Sequence, residues 1–170
     1  MNVLFEIRDS DVFRGARDLD PSRFAEKKTS RIILLNSLGN VALLRVDKYQ
    51  YHKLPGGGVE RGESPKKALE RELLEEMGCR ARIMAEVGIG VEYKNDQARK
   101  QISYCYLGEQ VGRTVPPNFT DSERDHGYEA VWMEDIDAAI RQVEVDEPIG
   151  YSRKFIQARE AAFLRAARDL

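Results

Sequence analysis

The pattern of apolar and polar positions predicts β-strands along most of the chain. Two apolar runs, Ile32 to Leu35 and Val41 to Val46, flank residues 36–40, whose Asn, Ser and Gly residues are typical of a hairpin turn. We therefore expect two core strands within residues 31–46. Further runs rich in branched or aromatic side chains predict additional strands, and these are residues 3–7, 82–93, 101–111 and 128–133.

Helical periodicity predicts three helices, at residues 65–77, 135–143 and 152–168. In the last of these, apolar residues recur at helical spacing, while arginines, Glu160 and Asp169 fill the remaining positions. This pattern predicts a helix that covers the core and turns a mixed polar face to solvent, rather than one that binds a membrane surface. Its apolar positions are Phe155, Ile156, Ala162, Phe163, Ala166 and Leu170.

Strands mixed with helices indicate an α/β protein, and 170 residues suit one domain with a single core. Within residues 1–170 we expect an N-terminal extension over residues 1–29 and a C-terminal helix over 151–170. The extension begins with the short strand, and residues 9–28 are interpreted as a loop with at most one helical turn. Positive and negative residues alternate in this loop, which is typical of a solvated surface.

Composition excludes several classes of protein. With 42% hydrophobic and 33% charged residues, the chain has no apolar stretch near the roughly 18 residues that a membrane span needs. The charged residues Glu6, Arg8 and Asp9 argue against an export signal, and two cysteines without a metal or disulfide motif favour a reducing compartment. The expected location is therefore cytoplasmic. A net charge of −2 argues against binding of long nucleic acids.

The candidate chemistry lies in residues 54–79, where a glycine loop precedes a helix with clustered carboxylates. Three apolar side chains form one stripe of this helix and three carboxylates lie on its flank; the stripe is Leu69, Leu73 and Met77, and the flank is Glu76, Glu75 and Glu72. Like charges at this spacing repel by about 2 to 3 kcal/mol per pair at an effective dielectric near 20. Oxygen ligands that need a compensating cation favour Mg²⁺ first and Mn²⁺ second. The alternative is a solvated acidic helix.

The spacing of fixed residues in this segment argues against a merely solvated acidic helix. The fixed positions are Gly57, Glu63, Arg71-Glu72-Leu73, Glu75-Glu76 and Gly78-Cys79. Seven of these nine positions require a single residue type, and positions 73 and 79 require an aliphatic one. When common residues are each used at roughly 5 to 8 percent, seven fixed identities arise by chance on the order of once in 10⁸ windows. The spacing resembles the Nudix box, with one departure: Cys79 replaces a larger aliphatic residue, and cysteine behaves as a small hydrophobe. The chain thus resembles a Nudix hydrolase.

The resemblance implies a Nudix-type α/β/α sandwich with a central mixed β-sheet. It also implies Mg²⁺-dependent hydrolysis of the pyrophosphate bond in a nucleoside diphosphate linked to another group, so a small nucleotide-like substrate is the expected partner. The implied metal ligands are the carbonyl of Gly56 and the carboxylates of Glu72, Glu75 and Glu76. Arg71 would orient this acidic cluster; the alternative is a modest surface pair with Glu75, one turn further along the helix.

The sequence does not decide which residue accepts the proton of the attacking water. Family members use either a glutamate of the box or one further downstream, and the candidates here are Glu72, Glu123 and Glu129. Two residues are candidates for contact with substrate. Gly57 lets the backbone approach a ligand, and Arg45 has a guanidinium that matches phosphate oxygens, although a surface ion pair is an equal alternative for it.

Two other functions would use the same fold. An isoprenyl-diphosphate isomerase would need a cysteine and an acid facing an allylic carbon, and Cys79 and Cys105 are poorly placed for this role. A non-catalytic nucleotide sensor would be expected to have lost acidic ligands, which this chain keeps. Since many Nudix proteins form dimers, a homodimer is also among the expected partners, but no residue decides it.

Overall fold

The computed structural model describes residues 1–170, which form seven strands and five helices. The strands are β1 (Val3–Ile7), β2 (Ala25–Leu35), β3 (Val41–Val46), β4 (Tyr51–Lys53), β5 (Arg80–Lys94), β6 (Arg99–Val111) and β7 (Tyr128–Met133). The helices are α1 (Asp9–Val12), α2 (Pro65–Glu76), α3 (Asp121–Asp125), α4 (Ile136–Val145) and α5 (Tyr151–Arg168). No helix has the length and apolar composition that crossing a membrane requires.

All strands belong to one mixed sheet with the order β1-β5-β6-β2-β3-β4, and β7 also pairs with β3. The pairs β1–β5 and β2–β6 are parallel, and the other pairs are antiparallel. Strand β7 pairs along the whole length of β3 on one side. The other side of β3 is shared by β2 and β4. β2 touches β3 only where Leu35 pairs with Val41. The rest of β2 diverges, which leaves one of its edges free for another segment.

Helices cover both faces of the sheet. Neighbouring residues of a strand point to opposite sides, so the strands place apolar side chains on both faces. On β2, Ile32 and Leu34 pack with α2, and Ile33 between them packs with α4 and α5. The α2 side of the core also contains Ala42, Leu44, Leu69, Leu73, Met77, Cys79 and Tyr106. The α4 and α5 side contains Val41, Leu43, Leu54, Val87, Cys105, Ala139, Ile140, Val143, Ala161, Phe163, Leu164 and Ala167. The predicted sandwich with a central mixed sheet is confirmed.

The predicted strands and helices are confirmed, with shifts of a few residues at their ends. Two short elements, β4 and α3, lack a measurable period and were not predicted. The prediction of a loop over residues 25–28 was wrong, because β2 begins at Ala25 and pairs there with β6. These residues are exposed, so backbone pairing rather than an apolar period forms the strand. The segment assigned to the extension therefore contributes part of the central sheet.

The polar face of α5 is only partly exposed to solvent. Arg159 and Glu160 are 1% and 0% exposed and lie against the sheet. Their charges are matched by partners on other elements, which helical periodicity cannot detect. By contrast, Phe155 and Phe163 are buried as expected, and Leu170 lies exposed beyond the end of the helix.

Candidate functional site

Local sequence fixes the position of α2 at the site. Ser64 caps its start by accepting a hydrogen bond from the backbone N–H of Lys67 (3.3 Å), and Pro65 occupies the first turn, where no amide donor is needed. Gly78, with φ of 60°, follows the helix in the left-handed conformation that glycine adopts easily. With both ends fixed, the apolar stripe packs on the sheet and the acidic flank faces the glycine loop.

The loop at residues 54–59 lies along the edge of β2 that β3 leaves free. Backbone hydrogen bonds join Ser30 N to Gly57 O (2.9 Å), Ile32 N to Pro55 O (3.1 Å) and Val59 N to Lys28 O (3.0 Å). The loop is thus held like a short additional strand. Its glycines are brought between β2 and the acidic flank of α2.

Arg71 connects the loop to the helix. Its guanidinium donates to both carboxylate oxygens of Glu63 (3.2 and 3.0 Å), to the carbonyl of Gly58 (2.9 Å) and to Glu72 Oε1 (2.8 Å). It also lies 3.7 Å from Glu75. These contacts suit the orienting role that the resemblance implies for Arg71, because they fix the carboxylate of Glu72 while tying down the loop.

Glu72 lies directly against the backbone of Gly57. A Cβ atom added at Gly57 would be 2.2 Å from Glu72 Oε1, far inside van der Waals contact. Only glycine therefore lets this carboxylate reach the loop. The two residues line the same cavity.

The carboxylate of Glu76 is paired with the ammonium group of Lys53. Glu76 is 1% exposed; its Oε1 accepts from Lys53 Nζ (2.7 Å) and its Oε2 from the backbone N–H of Gly56 (2.7 Å). The same ammonium lies 3.4 Å from the carbonyl of Gly56. Burial raises the pKa of Glu76, and Lys53 opposes that rise. Lys53 was not predicted, because nothing in the sequence pairs it with a residue more than twenty positions away.

The expected convergence of Glu72, Glu75 and Glu76 is not found, since no three His, Cys, Asp or Glu side chains are arranged to hold a metal ion. Lys53 pairs with Glu76, and Arg71 pairs with Glu72 and Glu75, so the ligand set that the resemblance implies stays a prediction. The donor chemistry nevertheless fits a hard divalent cation: all donors are oxygens, and Lys53 shows that Gly56 O and Glu76 stabilise a positive charge. Glu72 and Glu75 supply the carboxylates not bound to this lysine.

Glu75 and Glu123 approach each other at the open end of the site. Burial raises the pKa of Glu75, and the negative charges of Glu72 and Glu123 raise it further while Arg71 opposes them. Asn118 N donates to the carbonyl of Glu75 (2.7 Å), which anchors the segment leading into α3. Glu123 Oε2 accepts from the backbone N–H of Thr120 (2.8 Å), so the cap of α3 fixes its direction. The structure thus brings Glu123 to the cavity.

Arg45 and Glu129 are not brought to the cavity. They face each other across β3 and β7, and Arg45 Nη2 donates to Glu129 Oε2 (2.6 Å). Alternation along both strands places them on the sheet face covered by α4 and α5, opposite α2, and both side chains are about half exposed. We interpret them as a surface ion pair and do not include them in the proposed site.

The cavity between the loop, α2 and α5 has a volume of about 350 Å³. Its carboxylates come from α2 and α3, and its cations other than Lys53 come from β2, β5, β6 and α5, which form its basic wall. Ile156 is its only apolar lining residue. The acidic lining residues are Glu72, Glu76 and Glu123, and the basic ones are Lys27, Arg31, Lys53, Lys94, Arg99 and Arg159. The basic side was not predicted. Lys27 and Arg31 are four positions apart, so they share a face of a strand. This was missed because residues 25–28 were interpreted as a loop.

Comparison with known proteins agrees with this geometry. The family model described as NUDIX domain matches residues 26–152. The chain belongs to the NUDIX family. The matched range begins in β2 and ends at the start of α5, so it includes the loop, α2 and Glu123.

The NUDIX chain is similar to two curated relatives over part of their length. It is 38% identical to a putative 8-oxo-dGTP diphosphatase of Bacillus subtilis (strain 168) over 58 residues, which are 34% of this chain and 39% of that protein. It is 34% identical to an RNA pyrophosphohydrolase of Wolbachia pipientis subsp. Culex pipiens (strain wPip) over 84 residues, 48% of this chain and 51% of that one. The chain thus spans about half or less of these relatives.

Solved structures share the fold. The MutT protein from Methanosarcina mazei Go1 superposes with a TM-score of 0.57 at 20% identity, over 86% of this chain and 96% of that one. At this level of identity the match shows the architecture alone.

Proposed function

We propose that this NUDIX protein hydrolyses the pyrophosphate bond of a small nucleotide-like substrate with the help of a divalent metal ion, Mg²⁺ first and Mn²⁺ second. The observation that carries the proposal is the position of Glu72, which Arg71 holds against the backbone of Gly57 in a cavity with a basic opposite wall. The names of the two relatives, a diphosphatase and a pyrophosphohydrolase, support the same type of reaction.

In the proposed reaction the oxygen of a water molecule bonds to one phosphorus, and the bond from that phosphorus to the bridging oxygen breaks. The proton released by the water passes to a carboxylate, and two phosphate products leave. Glu72 and Glu123 are the two candidates for this acceptor, since both line the cavity and Glu129 does not. Glu72, Glu75 and the carbonyl of Gly56 would hold the metal ion. When bound, such an ion neutralises charge on phosphate oxygens and makes water more acidic.

The basic wall would hold the phosphates against the acidic helix. A guanidinium or ammonium aimed at phosphate oxygens stabilises the charge that develops on them as the bridge breaks. Arg71 acts differently, because its guanidinium already donates to Glu63, Glu72 and the carbonyl of Gly58. We therefore assign Arg71 the positioning of Glu72.

The isomerase alternative finds no support in the structure. It would need a reactive cysteine at the substrate, but Cys79 and Cys105 are buried among apolar core residues, at 1% and 0% exposure. Burial raises the pKa of the Cys79 thiol to about 11, which keeps it protonated at neutral pH. Neither cysteine lines the cavity.

The proposal is tested by initial rates on a substrate panel, each with Mg²⁺ and with EDTA. The panel contains ADP-ribose, a dinucleoside polyphosphate, ordinary and oxidised nucleoside triphosphates, a nucleotide sugar and an RNA oligonucleotide with a 5′-triphosphate. We expect release of phosphate, pyrophosphate or a mononucleotide from at least one small substrate with Mg²⁺ and none with EDTA. No turnover of any compound would instead favour the non-catalytic sensor.

A further inference from the structure

Behind the basic wall of the cavity lies a cluster of charged and polar side chains buried between α5 and the sheet. Each of them is at most 7% exposed. The cluster consists of Thr29, Arg31, Glu92, Lys94, Gln101, Ser103, Arg159 and Glu160. Such groups are costly to bury and are retained in a core only when partners satisfy them. Where partners are missing, a ligand is the first explanation to consider.

Most of the cluster is satisfied internally. Arg159 donates to Glu92 (2.9 Å) and to Glu160 (2.6 Å), and Lys94 Nζ lies 3.0 Å from the other oxygen of Glu92. Gln101 donates to Glu92 (2.8 Å). These contacts form a connected network, so the two buried carboxylates are matched mainly by Arg159 and Lys94.

Unpartnered polar atoms remain on Arg31, Glu92, Arg159 and Glu160, and Arg31 is the one of these whose side chain makes no hydrogen bond at all. Its Nε lies 4.0 Å from Glu160 Oε1, beyond hydrogen-bond distance, and neither Nε nor Nη1 has a hydrogen-bond partner. Glu160 instead accepts from Arg159 at 2.6 Å. Arg31 is nevertheless 7% exposed and lines the cavity. A buried guanidinium with free donors beside a cavity is well suited to bind an anion, because its donor fork matches phosphate oxygens.

Two neighbours extend the positive charge of Arg31 along the cavity. Lys27 precedes Arg31 by four positions on β2 and shares its face, and Arg99 lies on the adjoining strand β6. Both line the cavity, and no carboxylate lies within 4.0 Å of either. Burial lowers the pKa of Lys27, and repulsion from Arg99 and Arg31 lowers it further.

The lining also indicates which part of a substrate enters. Seventeen residues line the cavity, and Ile156 is the only apolar one; none is aromatic. A base would find no ring to stack on here. The part of the ligand inside the cavity is therefore its phosphate chain. Since the implied metal ligands lie on the acidic wall, a phosphate near Arg31 would be a different one from the phosphate they face.

We propose that Arg31 is a specificity-determining residue that binds a terminal phosphate beyond the hydrolysed bridge, so that substrates ending in a free phosphate, such as nucleoside triphosphates, are preferred over ADP-ribose and nucleotide sugars. This inference rests on the proposed hydrolase function. Water adds across one P–O–P bridge, so a triphosphate yields either a monophosphate and pyrophosphate or a diphosphate and phosphate. Arg31 contributes no proton and only holds the terminal group.

The test compares Arg31→Gln and Arg31→Lys with a matched control, Arg82→Gln, which removes an exposed arginine paired with Glu109. We expect Arg31→Gln to lower kcat/KM for a nucleoside triphosphate about 100-fold more than for ADP-ribose, because a polar site rejects ligands that leave its donors unpaired. Arg31→Lys keeps the charge but not the fork, so about 10-fold is expected. The control should match the wild type. Equal losses on both substrates, or a wild-type preference for ADP-ribose, would overturn the proposal.

A binding measurement separates this proposal from the proposed reaction. Inorganic tripolyphosphate is titrated into each protein in EDTA by calorimetry, with circular dichroism to confirm folding. Wild type and Arg82→Gln should bind it, and Arg31→Gln should bind at least about 10-fold more weakly. If Arg31→Gln does not fold, Arg31→Lys takes its place with the same direction expected. Unchanged affinity in the Arg31 variants contradicts the role of Arg31 even if hydrolysis is observed. Absence of all turnover contradicts the reaction and leaves this titration as the test of Arg31.

Discussion

Replacing Glu72 by glutamine is expected to lower kcat by about 10²- to 10⁴-fold, the range found when a proton acceptor or charge-stabilising group is removed. Glutamine keeps the size of the side chain and one oxygen, so the contact with Gly57 and the fold should survive. What is lost is the negative charge that faces the cavity. The measurement is steady-state hydrolysis of the best substrate from the panel at saturating Mg²⁺.

The matched control is Glu70→Gln on the same helix. Glu70 is exposed and does not line the cavity, so its removal changes the helix charge equally without touching the site. Activity within about twofold of the wild type is expected, since surface charges of this kind contribute little. A loss of similar size in both variants would show that the net charge of α2, rather than the position of Glu72, governs activity.

The second large effect is expected on stability, when Arg159 is replaced by methionine. Arg159 is 1% exposed and donates to Glu92 and Glu160, which are both 0% exposed. Methionine fills much of the volume but leaves two buried carboxylates short of a cation. Removing one partner from a buried ion pair typically costs about 3 to 5 kcal/mol. We expect a loss of that order in the free energy of unfolding, measured by urea denaturation monitored with circular dichroism.

Arg165→Met provides the comparison on the same helix. Arg165 pairs with Glu144 on the surface, and both side chains are 40% exposed or more. Exposed pairs contribute about 0 to 1 kcal/mol, so this variant should unfold close to the wild type. If Arg159→Met were as stable as Arg165→Met, the buried cluster would not depend on its central arginine.

The sequence predicted the features that depend on residues only a few positions apart. Ser64 and Pro65 predicted the start of α2, and the apolar stripe of Leu69, Leu73 and Met77 predicted its packing, because caps and periodicity depend on residues a few positions apart. The spacing of the box likewise predicted that the glycine loop would lie against the acidic side of α2, where Glu72 contacts Gly57.

The remaining features of the site depend on contacts between distant residues, and the sequence could not predict them. Lys53 neutralises Glu76 from another element, and Arg159 meets Glu92 across 67 positions. A period can tell which side of a helix is apolar, but a buried ion pair breaks the period without leaving a local signal. For the same reason the basic wall around Arg31 became visible only when β2, β6 and α5 were assembled.

Arg45 and Glu129, two of the candidate site residues, show how a strand position decides which face a side chain occupies. Each is a chemically suitable residue near the end of a strand, but both lie on the sheet face opposite α2 and pair with each other. A one-residue shift along a strand reverses the face, so chemistry at the right place in the sequence can lie on the wrong side of the sheet.

The most direct test of a metal site on the acidic flank of α2 is Mn²⁺ binding, measured by electron paramagnetic resonance for wild type, Glu72→Gln and Glu70→Gln. We predict that wild type and Glu70→Gln bind with the same affinity and that Glu72→Gln binds at least about 10-fold more weakly, as expected for a lost ligand or its supporting group. Equal binding by all three proteins would contradict the site.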